Sequence, residues 1–164
     1  MSRATDYVHG YSAREGVRLS DQAAALAGLL HAGTRYAPGS RVLEAGCGTG
    51  AQTVILASHS PEAEFTSIDV SEHSLAEAAQ QVQFAGCPNV RFVRADIFQL
   101  PFQPSGFDHV FVCFVLEHLS DPAGALQALM SVLKPGGSLT VIEGTTARRT
   151  SIRPASELAA RFSA

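Results

Sequence analysis

The sequence predicts an α/β fold: a doubly wound, mostly parallel sheet with helices on both faces, five of whose strands are recognisable. Three observations carry that reading. Short β-branched runs alternate with helical patterns along most of the chain, as in successive βαβ units. The run Val110 to Leu116 holds seven apolar residues without alternation, the mark of a strand buried on both faces. Between the first strand and the first core helix lies "EAGCGTGA", with three glycines in five residues. Glycines at that density let backbone amides approach a bound ligand closely.

The elements are justified in chain order. From Ser12 to His31, Val17, Ala24, Leu26 and Leu30 fall near one face of a helix or helix pair, which Gly33 and Pro38-Gly39 end. Residues 1–40 thus read as an N-terminal helical cap. Val42 to Ala45 is a short strand, and Ala51 to Ser58 the helix after the glycine loop. "AEFTSID" forms a second strand ending at Asp69. Ser71 caps a helix from Glu72 to Ala85, closed by Gly86 and Pro88. "NVRFVRAD" is the third strand and Val110 to Leu116 the fourth. Asp121 and Pro122 suit the N-cap and first position of a helix running to Leu133. "KPGG" then turns the chain into a fifth strand, "SLTVIE".

At 164 residues, with 46% apolar and 16% charged side chains, the chain fits one compact domain. Its net charge of −3 and scattered basic residues provide no phosphate-tracking stripe, so nucleic acid is not the expected partner. Cys47, Cys87 and Cys113 form no CxxC pair and suggest neither a disulfide framework nor a zinc site. No metal is expected, since the histidines share no ligand spacing. "MSRATDYVHG" lacks the apolar core of a signal peptide, and no apolar run approaches a membrane span. These features predict a cytoplasmic protein without a membrane partner; they leave the oligomeric state open.

Ligands of doubly wound sheets lie across the carboxyl ends of the strands. Glu44 to Gly50, Asp69, Asp96-Ile97 and Cys113 to His118 occupy those ends. Gly46, Gly48 and Ala51 satisfy G-x-G-x-x-[GA], so an NAD-binding oxidoreductase domain is one reading, with Asp69 on the ribose. Glu44 argues against it, because a carboxylate beside a pyrophosphate costs energy, whereas it suits a cationic ligand. No Gly-Lys-Ser/Thr follows the loop, and neither H-E-x-x-H nor G-x-S-x-G occurs. A cofactor with an amino-acid end, a ribose and an adenine would use the loop, Asp69 and Asp96 in turn. S-adenosylmethionine has those three parts.

"VLEAGCGTG", "SIDVS", "ADIFQLPF", "FDHVFVCFVLEHL" and "VLKPGGSLTVIE" resemble, in order and spacing, the successive motifs of class I S-adenosylmethionine-dependent methyltransferases, which have a Rossmann-like fold. The resemblance covers Arg41 to Glu143 and implies that residues 41–143 are an S-adenosylmethionine-binding core. It implies that Glu44, Gly46, Cys47, Gly48 and Gly50 surround the methionine part, Asp69 and Val70 the ribose, and Asp96 and Ile97 the adenine. The Cys113 backbone would lie near the sulfonium. It further implies methyl transfer to a small organic acceptor in a desolvated pocket, or a catalytically silent cofactor-binding fragment.

Each residue also has a plainer reading. Glu44 and Asp69 can be solvated strand-end carboxylates, and Asp96 can cap a turn before "IFQLPF". His118 and Glu117 are candidates for a general base, yet a histidine there is as often hydrogen-bonded structure. Tyr11, in the "YVHGYS" that resembles the aromatic entry segment of some small-molecule methyltransferases, is a third candidate or packs on the following helix. The absence of an obvious base does not weigh against methyl transfer, since alignment in a dry pocket supplies most of the acceleration.

Residues 144–164 are an atypical tail. "TTARRTSIRPASELAARFSA" brings four of the chain's twelve basic residues and one acid, Glu157. The resemblance implies two more strands after the fifth, the last antiparallel at the sheet edge, and neither is legible here. Thr145 to Arg153 admit a codon string that, read one base earlier, encodes Asp-His-Gly-Ser-Ala-Tyr-Phe-His-Pro, similar to the family's continuation after "VIEG". The expectation is therefore a C-terminally truncated methyltransferase with a frame-shifted tail, an unpaired fifth-strand edge, marginal stability and little or no turnover. The competing reading is a natural short variant with a helical tail.

Overall fold

The computed structural model describes His31, residues 33–143 and residues 150–152. Tyr11, the helix expected from Ser12, most of the N-terminal cap and the rest of the tail lie outside the described residues. The elements are β1 (Arg41–Ala45), α1 (Ala51–His59), β2 (Glu64–Asp69), α2 (Glu72–Phe84), β3 (Val90–Arg94) and β4 (Phe107–Cys113). A 3-10 turn (Leu116–His118), α3 (Pro122–Ser131), β5 (Leu133–Ile142) and β6 (Thr150–Ile152) complete the order. The expected caps are in place: Ser71 Oγ accepts from Ser74 N–H at 3.2 Å, and Asp121 Oδ1 from Gly124 N–H at 2.8 Å.

Among the described residues, six strands share one sheet in the order β3-β2-β1-β4-β5-β6. The first five run parallel and β6 antiparallel. Because β1 sits between β2 and β4, strand order reverses there, and the carboxyl ends of β1 and β4 flank the crevice. Alternate residues feed two cores. Val42, Phe65, Phe111 and Cys113 pack with Leu56 and Ala57 of α1 and Val82 of α2. Leu43, Ile68, Val110 and Val112 pack with Ala125 and Leu129 of α3 on the other face. A fully buried Phe or Leu at such a position contributes about 1.5–3 kcal/mol. Among the described residues no helix is long and apolar enough to cross a membrane.

The structure corrects the sequence at three places. The central strand is Phe107–Cys113, not Val110 to Leu116: Phe114 takes a left-handed φ of 56°, and the chain leaves the sheet for the 3-10 turn. Leu116 nonetheless stays buried in the α3-side core, which is why the apolar run looks continuous. Second, α3 stops at Ser131, and Leu133 already pairs with Phe107. Residues 134–137 then bulge opposite Asp108 before pairing resumes at His109↔Ser138, with Gly136 at a φ of 81°. Third, the edge of β5 is paired: Leu139, Thr140 and Val141 face Ile152, Ser151 and Thr150 of β6. Three residues at a sheet edge need no periodic apolar pattern, so this strand leaves no signal in the sequence.

Candidate functional site

The loop after β1 is built by backbone conformations that favour glycine. Gly46 has a φ of 71°, and a Cβ there would lie 2.5 Å from Val115 Cγ2. Gly50, at a φ of 89°, is the left-handed N-cap of α1, and its Cβ would lie 2.9 Å from the Cα of Ala78 in α2. The loop is fastened to β2: Gly46 and Cys47 N–H both donate to the Ile68 carbonyl, at 2.8 and 3.0 Å. Gly48 N–H donates to Asp69 Oδ2 at 3.0 Å, while Ser71 N–H donates to Oδ1 at 2.8 Å. Asp69 is half-buried, and its carboxylate is aimed by these two bonds. Its carbonyl accepts from Ala95 N–H at 3.1 Å, which draws the end of β3 alongside.

Glu44 faces inward. It is 2% exposed, and its Oε2 accepts from Ser67 Oγ at 2.6 Å and Thr53 Oγ1 at 2.7 Å. Burial pushes its carboxyl up to about 7 against the pull of those two hydroxyls, and the Asp69 charge adds to the rise. Two carboxyls therefore share the floor of the loop. Both nearby thiols are buried and pushed up, Cys47 and Cys113 alike, chiefly by desolvation and next by the Glu44 charge. They are poor nucleophiles.

Beyond β3, Asp96 caps a turn. Its Oδ1 accepts from Phe98 N–H at 2.9 Å, and its carbonyl accepts from Gln99 N–H at 2.9 Å. Ile97 is buried beneath this turn, whereas Val70 after β2 stands exposed. Glu117 and His118 occupy the 3-10 turn after β4, with Glu117 Oε1 3.6 Å from His118 Nε2. Among the described residues, no cluster of His, Cys, Asp and Glu could hold a metal ion.

Sequence reasoning gave three residues here no individual role. Glu143, at the end of β5, accepts from Val115 and Leu116 N–H on Oε1, at 3.1 and 2.9 Å, and from Glu117 N–H on Oε2, at 3.3 Å. Phe114 supplies the left-handed bend, and Val115 presses on Gly46. An acid closing an apolar strand was the one signal for Glu143.

The sequence matches a known family. A family model described as a methyltransferase domain matches residues 42–137. The chain is 39% identical over 118 residues to an uncharacterized protein of Synechococcus, covering 71% of this chain and 28% of that one. It is 34% identical over 110 residues to demethylmenaquinone methyltransferase of Listeria welshimeri, covering 66% of this chain and 47% of that one. The chain thus spans less than half the length of these curated relatives. The fold is similar to that of a SAM-dependent methyltransferase from Aquifex aeolicus, with a TM-score of 0.68 and 23% identity over 90% of this chain and 81% of that one.

Proposed function

The chain belongs to the methyltransferase-domain family of class I S-adenosylmethionine-dependent methyltransferases, and from that premise we propose that it moves a methyl group from S-adenosylmethionine to a small organic acceptor in the cytoplasm. The observation that carries the proposal is Asp69, whose carboxylate is aimed by the Gly48 and Ser71 N–H groups at the end of β2. A fixed carboxylate suits the two hydroxyl donors of a ribose. The donor set also fits the charge of the cofactor. Glu44 receives only hydroxyl bonds among the described residues. A ligand carrying an ammonium and a sulfonium favours its ionised form, whereas the pyrophosphate of NAD opposes it. That difference disfavours the oxidoreductase reading.

In this reading Gly46, Cys47, Gly48 and Gly50 line the methionine part, Val70 borders the ribose, and Asp96 and Ile97 flank the adenine. When bound, the cofactor supplies a methyl group on a sulfonium, a leaving group that needs no protonation. The protein's share is orientation and exclusion of water, to which the buried Ile97 and Cys113 contribute. In this reading Glu117 or His118, on the turn after β4, takes up the proton of an acceptor hydroxyl or thiol. The named activity of the Listeria relative supports a small organic acceptor.

Calorimetry on the purified chain tests this. S-adenosylhomocysteine is expected to bind, and Asp69→Ala to weaken it by about 1.5–3 kcal/mol through loss of charge-assisted hydrogen bonds. A folded chain that binds NAD but neither adenosyl compound overturns the proposal. Cofactor binding without label transfer to any component of a metabolite extract indicates a silent binding module. Label entering only tRNA or protein removes the small acceptor.

A further inference from the structure

We propose that Glu143 is a positioning residue for the methyl-donor site, holding the turn after β4 so that Val115 braces the glycine loop after β1; this rests on the function proposed above. The ladder between β4 and β5 ends with Phe114 N–H donating to the Ile142 carbonyl at 2.8 Å. At Phe114 the backbone turns left-handed, at a φ of 56°. The next three N–H groups, of Val115, Leu116 and Glu117, then all point at one carboxylate, that of the residue following Ile142. A carboxylate meets three donors with two oxygens, which a hydroxyl or an aliphatic side chain in this place cannot do.

The consequences reach both sides of the crevice. Val115, so fixed, puts Cγ2 where a Cβ on Gly46 would be, 2.5 Å away. The loop is thereby clamped between Val115 on one side and the Ile68 carbonyl on the other. Leu116 is drawn into the α3-side core. Bonds from His118 N–H to the Val115 carbonyl and from Leu119 N–H to the Leu116 carbonyl, each 3.1 Å, close the turn that carries Glu117 and His118. Among the described residues, the Glu143 carboxylate accepts its hydrogen bonds from Val115, Leu116 and Glu117, none of them assigned to adenine or ribose. Its influence on the donor passes through the turn and Val115.

The full chain is compared with Glu143→Ala, Glu143→Gln, Val115→Ala and the Glu143→Ala/Val115→Ala double variant. Two readouts are taken: amide hydrogen exchange, and calorimetric affinity for S-adenosylhomocysteine at a temperature where circular dichroism shows each variant folded. In Glu143→Ala, exchange at Val115, Leu116 and Glu117 is expected to quicken and affinity to fall about tenfold, the scale of one lost charge-assisted bond. Glutamine keeps a carbonyl acceptor for Val115 and Leu116, so Glu143→Gln should restore most of the affinity while Glu117 stays fast. The double variant should bind no worse than the poorer single one, because both changes release the same brace. Unchanged exchange at these amides in a folded Glu143→Ala, or losses that simply add, overturn the proposal. If Glu143→Ala does not fold, Glu143→Gln decides through selective exchange at Glu117. Wild-type protein that binds no adenosyl compound refutes the proposed function instead, and the exchange comparison still decides whether Glu143 holds the turn.

Discussion

Replacing Gly46 by alanine tests the architecture of the loop more sharply than any change of charge. Two costs arise there, and the structure separates them. The first is the left-handed backbone: an L side chain at a φ of 71° costs about 1–2 kcal/mol. The second is contact. The added Cβ would lie 2.5, 3.1 and 3.4 Å from Cγ2, Cγ1 and Cβ of Val115, a β-branched side chain whose backbone N–H is held by Glu143. Overpacking of this kind adds about 1–3 kcal/mol. Gly39 supplies the control, because its φ is 75° and a Cβ there would meet nothing within 4 Å. Gly39→Ala should therefore cost the backbone amount alone, and Gly46→Ala about 2–5 kcal/mol in all. Urea denaturation followed by circular dichroism measures both, and the midpoints should separate by about 2–4 °C for each kcal/mol in a thermal scan. Adding Val115→Ala to Gly46→Ala should recover part of the loss. Equal costs for the two single substitutions would refute the packing of Val115 on the loop.

Glu44 predicts a pH dependence of definite sign. Its carboxyl is raised from 4.5 to about 7 in the folded chain, so the stability it contributes is complete below pH 4.5 and is lost as pH rises through 7. The loss is on the order of 3 kcal/mol, and a Glu44→Gln variant, compared with wild type from about pH 4.5 to 8, should lack it; parallel stability curves would contradict this. Buried thiols pushed up by desolvation should resist alkylation, so iodoacetamide at about pH 8 should leave Cys47 and Cys113 unmodified until urea unfolds the chain. Rapid labelling of either by mass spectrometry in the native state would contradict their burial.

The fold was legible where local chemistry and burial agree. Ser71 and Asp121 announce their helices because a side-chain oxygen must satisfy the first free N–H groups, and both do so. The parallel core was legible because a strand covered on both faces cannot alternate. The same rule misplaced its end: Phe114, Val115 and Leu116 are apolar for the sake of the core and the loop, while their backbone belongs to a turn. Apolar content reports burial, and the turn after Phe114 is hydrogen-bonded by a carboxylate nearly thirty positions away in sequence, just past β5.

The site divides along the same line. The backbone role of its glycines was legible because positive φ and close contacts are properties of their own positions, whereas Glu44 was read for its charge toward a ligand and not for its hydroxyl partners. In the structure it is held from beneath by Thr53 and by Ser67, its register partner in β2. A signal for this existed. Thr66 and Ser67 interrupt a strand that is otherwise apolar at its centre, and both are buried, Ser67 completely. A hydroxyl in such a place must have a polar partner, since burying it unpaired costs about 1–3 kcal/mol. The adjacent parallel strand offers one acid at that level. Ser67, a fully buried hydroxyl, thus locates the acid it serves. It also makes Glu44 a link between the charge of a bound ligand and the packing of β1 on β2: ionising Glu44 strengthens both hydroxyl bonds, so a cationic ligand above the loop should tighten the strands below it.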